Sequence, residues 1–251
     1  MDAELRRLSV PTVPSVRYQR NFIQTCVCEL RFPSLLELES KPPVGLQKQL
    51  RKEYPLYEEQ RHVDIGPPGQ VKHEPNRYVF RSKNRRWSIS LRSSSIALET
   101  TAYKDFGDFT DRLASMIEKS AALLDTDFFT RVGLRYINRI PVEDGDLEGW
   151  INAALVLPLT SGAFGDLSRC FCEVQGLTDF GSYSFRHGTD SEDGKVRGYY
   201  LDYDYFAESV PVVETSPLLK NFNELNFCFF SWSLGQKAFD WLGTGTSKNK
   251  K

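Results

Sequence analysis

The segment RVGLRYINRI, residues 131–140, carries Arg131, Arg135 and Arg139 at every fourth position of a stretch that otherwise alternates like a β-strand. Residues two apart in a strand share a face. Val132, Leu134, Tyr136 and Ile140 therefore point one way, and the arginines point the other with Gly133 and Ile137. Successive guanidinium groups on that face stand roughly 13 Å apart. A guanidinium buried without a partner costs several kcal/mol, so the strand cannot lie between two apolar layers. It requires a sheet with one covered face and one polar face, which is the habit of antiparallel sheets in α+β proteins.

The rest of the chain reads consistently with such a sheet. FIQTCVCELRF alternates, with Phe22, Cys26, Cys28, Leu30 and Phe32 on one face. Leu46, Leu50 and Tyr54 recur at helical spacing between prolines. LYEEQRHVDI, NRYVFR, RRWSISL and SIALETTAY read as strands, with GPPG at 66–69 a loop. Phe106, Phe109, Leu113, Met116, Ile117, Ala121 and Leu124 make one apolar stripe, the clearest helix, beginning at Asp105. After the arginine strand, LEGWINAALVL suggests a short helix. SRCFCEVQG, GSYSFRH and VRGYYLDYDYF suggest three strands. SPLLKNFNELNF opens a long terminal helix with Ser216 as N-cap and Pro217 at its first position.

The elements run β-α-β-β-β-α twice. ELRF at 29–32 matches GLRY at 133–136, and YVFR at 78–81 matches YSFR at 183–186, at separations that differ by one residue. The expectation is an α+β fold made of two duplicated β-α-β-β-β-α halves. They form one large, mostly antiparallel sheet with helices packed on one side. Residues 1–21 are an N-terminal arm, 22–126 the first half, 127–242 the second and 243–251 a disordered tail.

In that arrangement Arg31, Arg81, Arg131, Arg135, Arg139 and Arg186 fall on the uncovered face, with Asp202 and Asp204 of YLDYDYF and further carboxylates such as Glu29 and Glu99. Two readings compete. One is a cross-strand arginine–carboxylate lattice on a wet surface. The other is a concave anion site in which forked guanidinium groups grip a phosphate or carboxylate.

Other chemistries find little support. The formal charge is −1, so bulk electrostatics does not hold this chain on nucleic acid or a membrane surface. Nucleic acid is expected only through a local patch, the basic hairpin RSKNRRW at 81–87 with its adjacent aromatic. No apolar run reaches the ~18 residues of a membrane span. MDAELRRLSV lacks the apolar stretch of a secretory signal, and five cysteines without framework spacing suit a reducing cytoplasm.

His62, His73 and His187 stand in no metal-binding spacing. Cys26, Cys28, Cys170 and Cys172 are expected as reduced, metal-free core thiols, because CVC and CFC are strand interiors and not CxxC knuckles. There is no GxSxG elbow, and GTGTSK at 243–248 lacks the spacing of a phosphate loop. Neither catalytic residues, metal ligands nor a cofactor are assigned.

CELRFP near the N-terminus, RVGLRYINRI at mid-chain, YLDYDYF and a Phe-rich terminal helix together resemble a family. It is the sporadically distributed, functionally uncharacterised bacterial proteins of about this length marked by a G-L-R-Y-x-N-R-I strand. The resemblance spans residues 22 to about 242. It implies a stand-alone cytoplasmic bacterial protein, in a setting such as defence or toxin–antitoxin genes, and transfers no catalytic residue.

The function expected is a non-catalytic binding or sensing module that recognises an anionic ligand or protein partner through the arginine-lined face. The alternative is a metal-dependent phosphate-processing enzyme, a nuclease or nucleotide hydrolase, using Asp202 and Asp204.

Overall fold

A computed structural model describes residues 6–60, 63–65, 71–73, 76–142, 146–165, 167, 169–192 and 195–243. The elements are, in order, β1 (Ile23–Arg31), α1 (Glu37–Ser40), α2 (Val44–Leu50), β2 (Leu56–Gln60), β3 (Val63–Ile65), β4 (Val71–His73), β5 (Arg77–Arg81), β6 (Trp87–Arg92), β7 (Ser95–Thr100) and α3 (Phe106–Leu124). They continue with β8 (Phe128–Pro141), α4 (Ala153–Thr160), β9 (Phe171–Leu177), β10 (Ser182–Glu192), β11 (Lys195–Pro211), a 3-10 turn (Val212–Glu214), α5 (Thr215–Ser233) and α6 (Gln236–Leu242). Nine strands form a large antiparallel sheet, and β3 with β4 makes a separate ladder. The fold is α+β.

The chain divides into two compact units, 25–134 with 206–218, and 1–24 with 135–205 and 219–251. This is not the sequential division at residue 126, because the long strands β8 and β11 contribute to both units.

In the first unit the strand order is β2-β5-β6-β7-β1. Cys28 pairs with Leu98 and Leu30 with Ile96, and the next ladder pairs Ile89 with Leu98 and Leu91 with Ile96. These side chains are all buried. Alternation puts them on one face, and α3 supplies Phe109, Leu113 and Met116 to the same core. Asp105 caps α3 by accepting from the Asp108 backbone N–H at 2.9 Å, as its sequence predicts.

In the second unit the order is β8-β11-β10-β9. Tyr199, Leu201, Tyr203 and Tyr205 of β11 are buried at 1% exposure or less, so the odd-numbered residues take the core. Helix α5 covers that face. Phe229 lies 4.7 Å from Phe185 and 5.2 Å from Tyr203 by ring centroids, and Tyr136 donates to Asn223 at 2.9 Å. The helix begins at Thr215 rather than after a Ser216 cap, because the 3-10 turn Val212–Glu214 already feeds the chain into helical conformation. It stops before Gly235, where any Cβ would meet the Gly149 carbonyl oxygen at 2.2 Å. The N-terminal arm is pinned, with Tyr18 stacked on Phe227 and the Leu8 N–H donating to the Leu177 carbonyl at 2.8 Å. The tail from residue 244 lies outside the described residues.

The two sequence matches do not fall on equivalent strands and so do not establish a duplication. ELRF and GLRY fall on β1 and β8, each the first strand of its half. YVFR falls on β5, two strands removed from β1 by β6 and β7, whereas YSFR falls on β10, separated from β8 by β11 alone. The second match therefore joins strands of different rank.

Candidate functional site

Each arginine of the opening stripe has its own arrangement. In the first unit Arg131 folds back along β8 with its guanidinium 4.4 Å from the Phe206 ring centre and 3.5 Å from a Glu29 oxygen. Gly133 permits this, since a Cβ there would lie 2.5 Å from Nη1 of Arg131. Arg31 pairs with Glu29 on its own strand at 2.6 Å, and Arg81 approaches Glu58 on β2 at 3.6 Å. These are local ion pairs, of the kind that solvent screens and that stabilise a fold little.

In the second unit the polar face is more elaborate. Arg135 grips Asp202 with two bonds, Nε to Oδ1 at 2.7 Å and Nη2 to Oδ2 at 2.6 Å. These hydrogen bonds, with Asp204 adding to the negative field, push the guanidinium pKa above its usual value. Arg186 reaches the same Oδ2 at 3.5 Å and bonds Glu173 at 3.0 Å. Glu173 also accepts from Gln175 and Ser184, and its pKa falls below the ordinary carboxyl value, Gln175 contributing most. Arg139 bonds Asp190 at 2.5 Å. Gly198 lets it lie close, because a Cβ there would stand 3.3 Å from its Nε.

Alternation places Arg135 and Ile137 of β8, Tyr200 and Asp202 of β11, and Arg186, Gly188 and Asp190 of β10 on this one face. Glu173 stands opposite Arg186 and Phe171 opposite Gly188, so Phe171 joins the same face. The chain ahead of β9 crosses over at Gly188, where a Cβ would meet the Cys170 carbonyl oxygen at 2.2 Å. Two bonds hold the crossing, Thr189 N–H to the Cys170 carbonyl and Cys170 N–H to Thr189 Oγ1, both 2.9 Å. The crossing stands beside the arginine lattice, and between them lies a half-open cavity of about 570 Å³. Arg135, Arg169, Arg186, Asp190, Asp202, Tyr200, Ile137 and Phe171 are among its lining residues. Ser191 lines it too, and its hydroxyl oxygen is buried without a hydrogen-bond partner among the described residues.

Of the residues singled out from the sequence, the second unit brings together Arg135, Arg186 and Asp202, with Arg139 engaged through Asp190. Arg31, Arg81 and Arg131 belong to the first unit. Arg169, Phe171 and Tyr200 escaped sequence reasoning. Arg169 lies between elements and outside any alternating pattern, and only the fold-over at Gly188 brings it to the arginines.

Asp202 commits both oxygens to Arg135, which leaves it poorly placed to share a cation with Asp204. Among the described residues no three His, Cys, Asp or Glu side chains are grouped to hold a metal. The basic hairpin also differs from its nucleic-acid reading. Trp87 is buried, its ring 6.0 Å from Phe109 and under the Arg112 guanidinium at 4.4 Å, so it offers no face for a base. Cys26 and Cys28 are core thiols as expected, but Cys170 is half-buried and Cys172 exposed. The reason is that β9 is an edge strand, and its side chains remain largely exposed on both faces.

No protein-family model and no curated protein matches the chain. Among solved structures, the di-domain ARO/CYC StfQ from the steffimycin biosynthetic pathway aligns over 82% of this chain and 91% of its own at 10% identity. Its TM-score of 0.16 carries no argument about fold or function. What fold and site define is thus a class: an α+β protein with a charged cavity on the polar face of an antiparallel sheet. Among the described residues no helix is long and apolar enough to cross a membrane.

Proposed function

We propose that this chain is a non-catalytic binding or sensing module that takes an anionic ligand, or an anionic group of a protein partner, on the arginine-bearing face of its second unit. The observation that carries the reading is Arg169. It lines the cavity with Arg135 and Arg186, yet among the described residues it has no carboxylate partner. The other two arginines are held in place by Asp202 and Glu173, as a preorganised site requires. An arginine with unspent donors beside them suits a carboxylate or phosphate oxygen.

Metal-dependent phosphate chemistry at Asp202 and Asp204 is the weaker reading, because the fork of Arg135 already occupies Asp202. A bacterial defence or toxin–antitoxin setting rests on the family resemblance alone. A thermal-shift series with small anions and with divalent metals tests the proposal. Anions raise the melting temperature without metal, and Arg169→Gln abolishes the rise. Stabilisation that needs a divalent metal favours the enzyme instead.

A further inference from the structure

Resting on that reading, we infer that the ligand of this cavity is a planar aromatic ring carrying a single negative charge. The charge follows from the lining. Arg135, Arg169 and Arg186 face Asp190 and Asp202, a surplus of one positive charge. Beyond the lining, Arg139, which pairs with Asp190, and Glu173, which pairs with Arg186, cancel one another, while the field of Asp204 at Arg135 disfavours a multiply charged anion further. A polyphosphate would meet one uncompensated cation while pressing its remaining charges against two aspartates. A monoanion balances the site.

The ring follows from the apolar part of the lining. Phe171 is 59% exposed, and among the described residues it makes no ring contact. It stands on the same face as Tyr200 and Ile137, which also line the cavity. A large apolar side chain held out on an edge strand, next to a guanidinium without a carboxylate, offers both halves of an amphipathic contact. The ring of the ligand would lie against Phe171 and Tyr200, with its anionic group on Arg169. The volume of about 570 Å³ lies within the ordinary range for a small-molecule site. The crossing at Gly188 keeps Arg169 and Phe171 together, because the Cys170 backbone between them is bonded to Thr189.

Isothermal titration of the full chain tests this with four probes. Indole-3-carboxylate and cyclic AMP are aromatic monoanions, one a carboxylate and one a phosphodiester. Cyclohexanecarboxylate keeps the charge without the aromatic ring, and ATP keeps the ring with several charges. At least one aromatic monoanion is expected to bind about tenfold or more tightly than both cyclohexanecarboxylate and ATP. Whichever of the two binds better identifies the anionic group. Arg169→Gln and Phe171→Leu, both at exposed positions, should each weaken that binding about fivefold or more, with circular dichroism unchanged. If ATP binds tightest, if cyclohexanecarboxylate equals the aromatic acids, or if Phe171→Leu has no effect, the inference falls while the anion-binding reading stands. If neither these four probes nor inorganic phosphate binds, both fall.

Discussion

Arg135 and Asp202 meet as a two-pronged ion pair whose members differ in burial. The arginine side chain is 41% exposed and the aspartate side chain 11%. Removal of one partner is therefore not equivalent to removal of the other. Arg135→Ala strands a nearly buried carboxylate with, among the described residues, only Arg186 at 3.5 Å to answer it, and should destabilise the fold by about 2–3 kcal/mol. Asp202→Asn leaves a guanidinium that water can reach, and should cost about 1 kcal/mol. Arg135→Lys falls between them, keeping charge but losing the fork, and should weaken ligand binding while the fold survives. Urea unfolding of the three variants checks the order. Equal losses for Arg135→Ala and Asp202→Asn would show that the difference in burial is without consequence.

Gly188 is the point at which the cavity wall crosses the sheet. A methyl group there would overlap the Cys170 carbonyl, and the obstacle is backbone, not the tip of a flexible side chain. Gly188→Ala should therefore cost roughly 1–3 kcal/mol and move the segment carrying Arg169 and Phe171. Anion binding should weaken more than the loss of stability alone explains. Titration under conditions where the variant is fully folded separates the two effects. Unchanged affinity would mean that the crossing does not shape the site.

The contrast between Arg135 and Arg169 shows how far the amino-acid order could be read. Arg135 announced itself through alternation with Leu134 and Tyr136, a local signal that survives any arrangement of neighbouring strands. Its pairing with Asp202 was open to anticipation as chemistry but not as geometry, since register between β8 and β11 is a long-range property. Arg169 has no periodic neighbours, and its place depends on a steric exception at a glycine some twenty residues away in sequence. CFC resembled CVC in composition, yet one became an exposed edge and the other a core strand. Rank within the sheet made that difference, and no window of sequence carries it.

The cysteines should reveal that rank directly. Cys26 and Cys28 are buried to 0% exposure, and burial pushes the Cys28 thiol pKa up, with Glu29 adding to the shift. Cys172 is exposed and Cys170 half-buried on the edge strand. A disulfide reagent applied to native protein should modify Cys172 first and leave Cys26 and Cys28 untouched until denaturant is added. Mass mapping of the labelled peptides assigns the sites. Rapid native labelling of Cys26 or Cys28 would contradict the core packing of β1.

His187 gives the second unit a dependence on pH. Its Nδ1 lies 2.7 Å from the Tyr199 hydroxyl, which is placed to donate to the Leu155 carbonyl at 3.2 Å. With the tyrosine proton used there, the imidazole carries its own proton on Nδ1 and donates to Tyr199. Phe185 stacks on the ring at 4.9 Å, and burial depresses the imidazole pKa below its ordinary 6.5. The folded state therefore binds this proton less readily than the unfolded chain. The histidine's contribution to stability is present above about pH 6.5 and is lost as pH falls through the depressed folded value. His187→Gln keeps a donor for Tyr199 but removes the titration. Melting temperatures measured from about pH 7.5 down to pH 5 should fall more steeply for the natural protein than for the variant. Parallel curves would mean that the buried imidazole does not set this part of the pH profile.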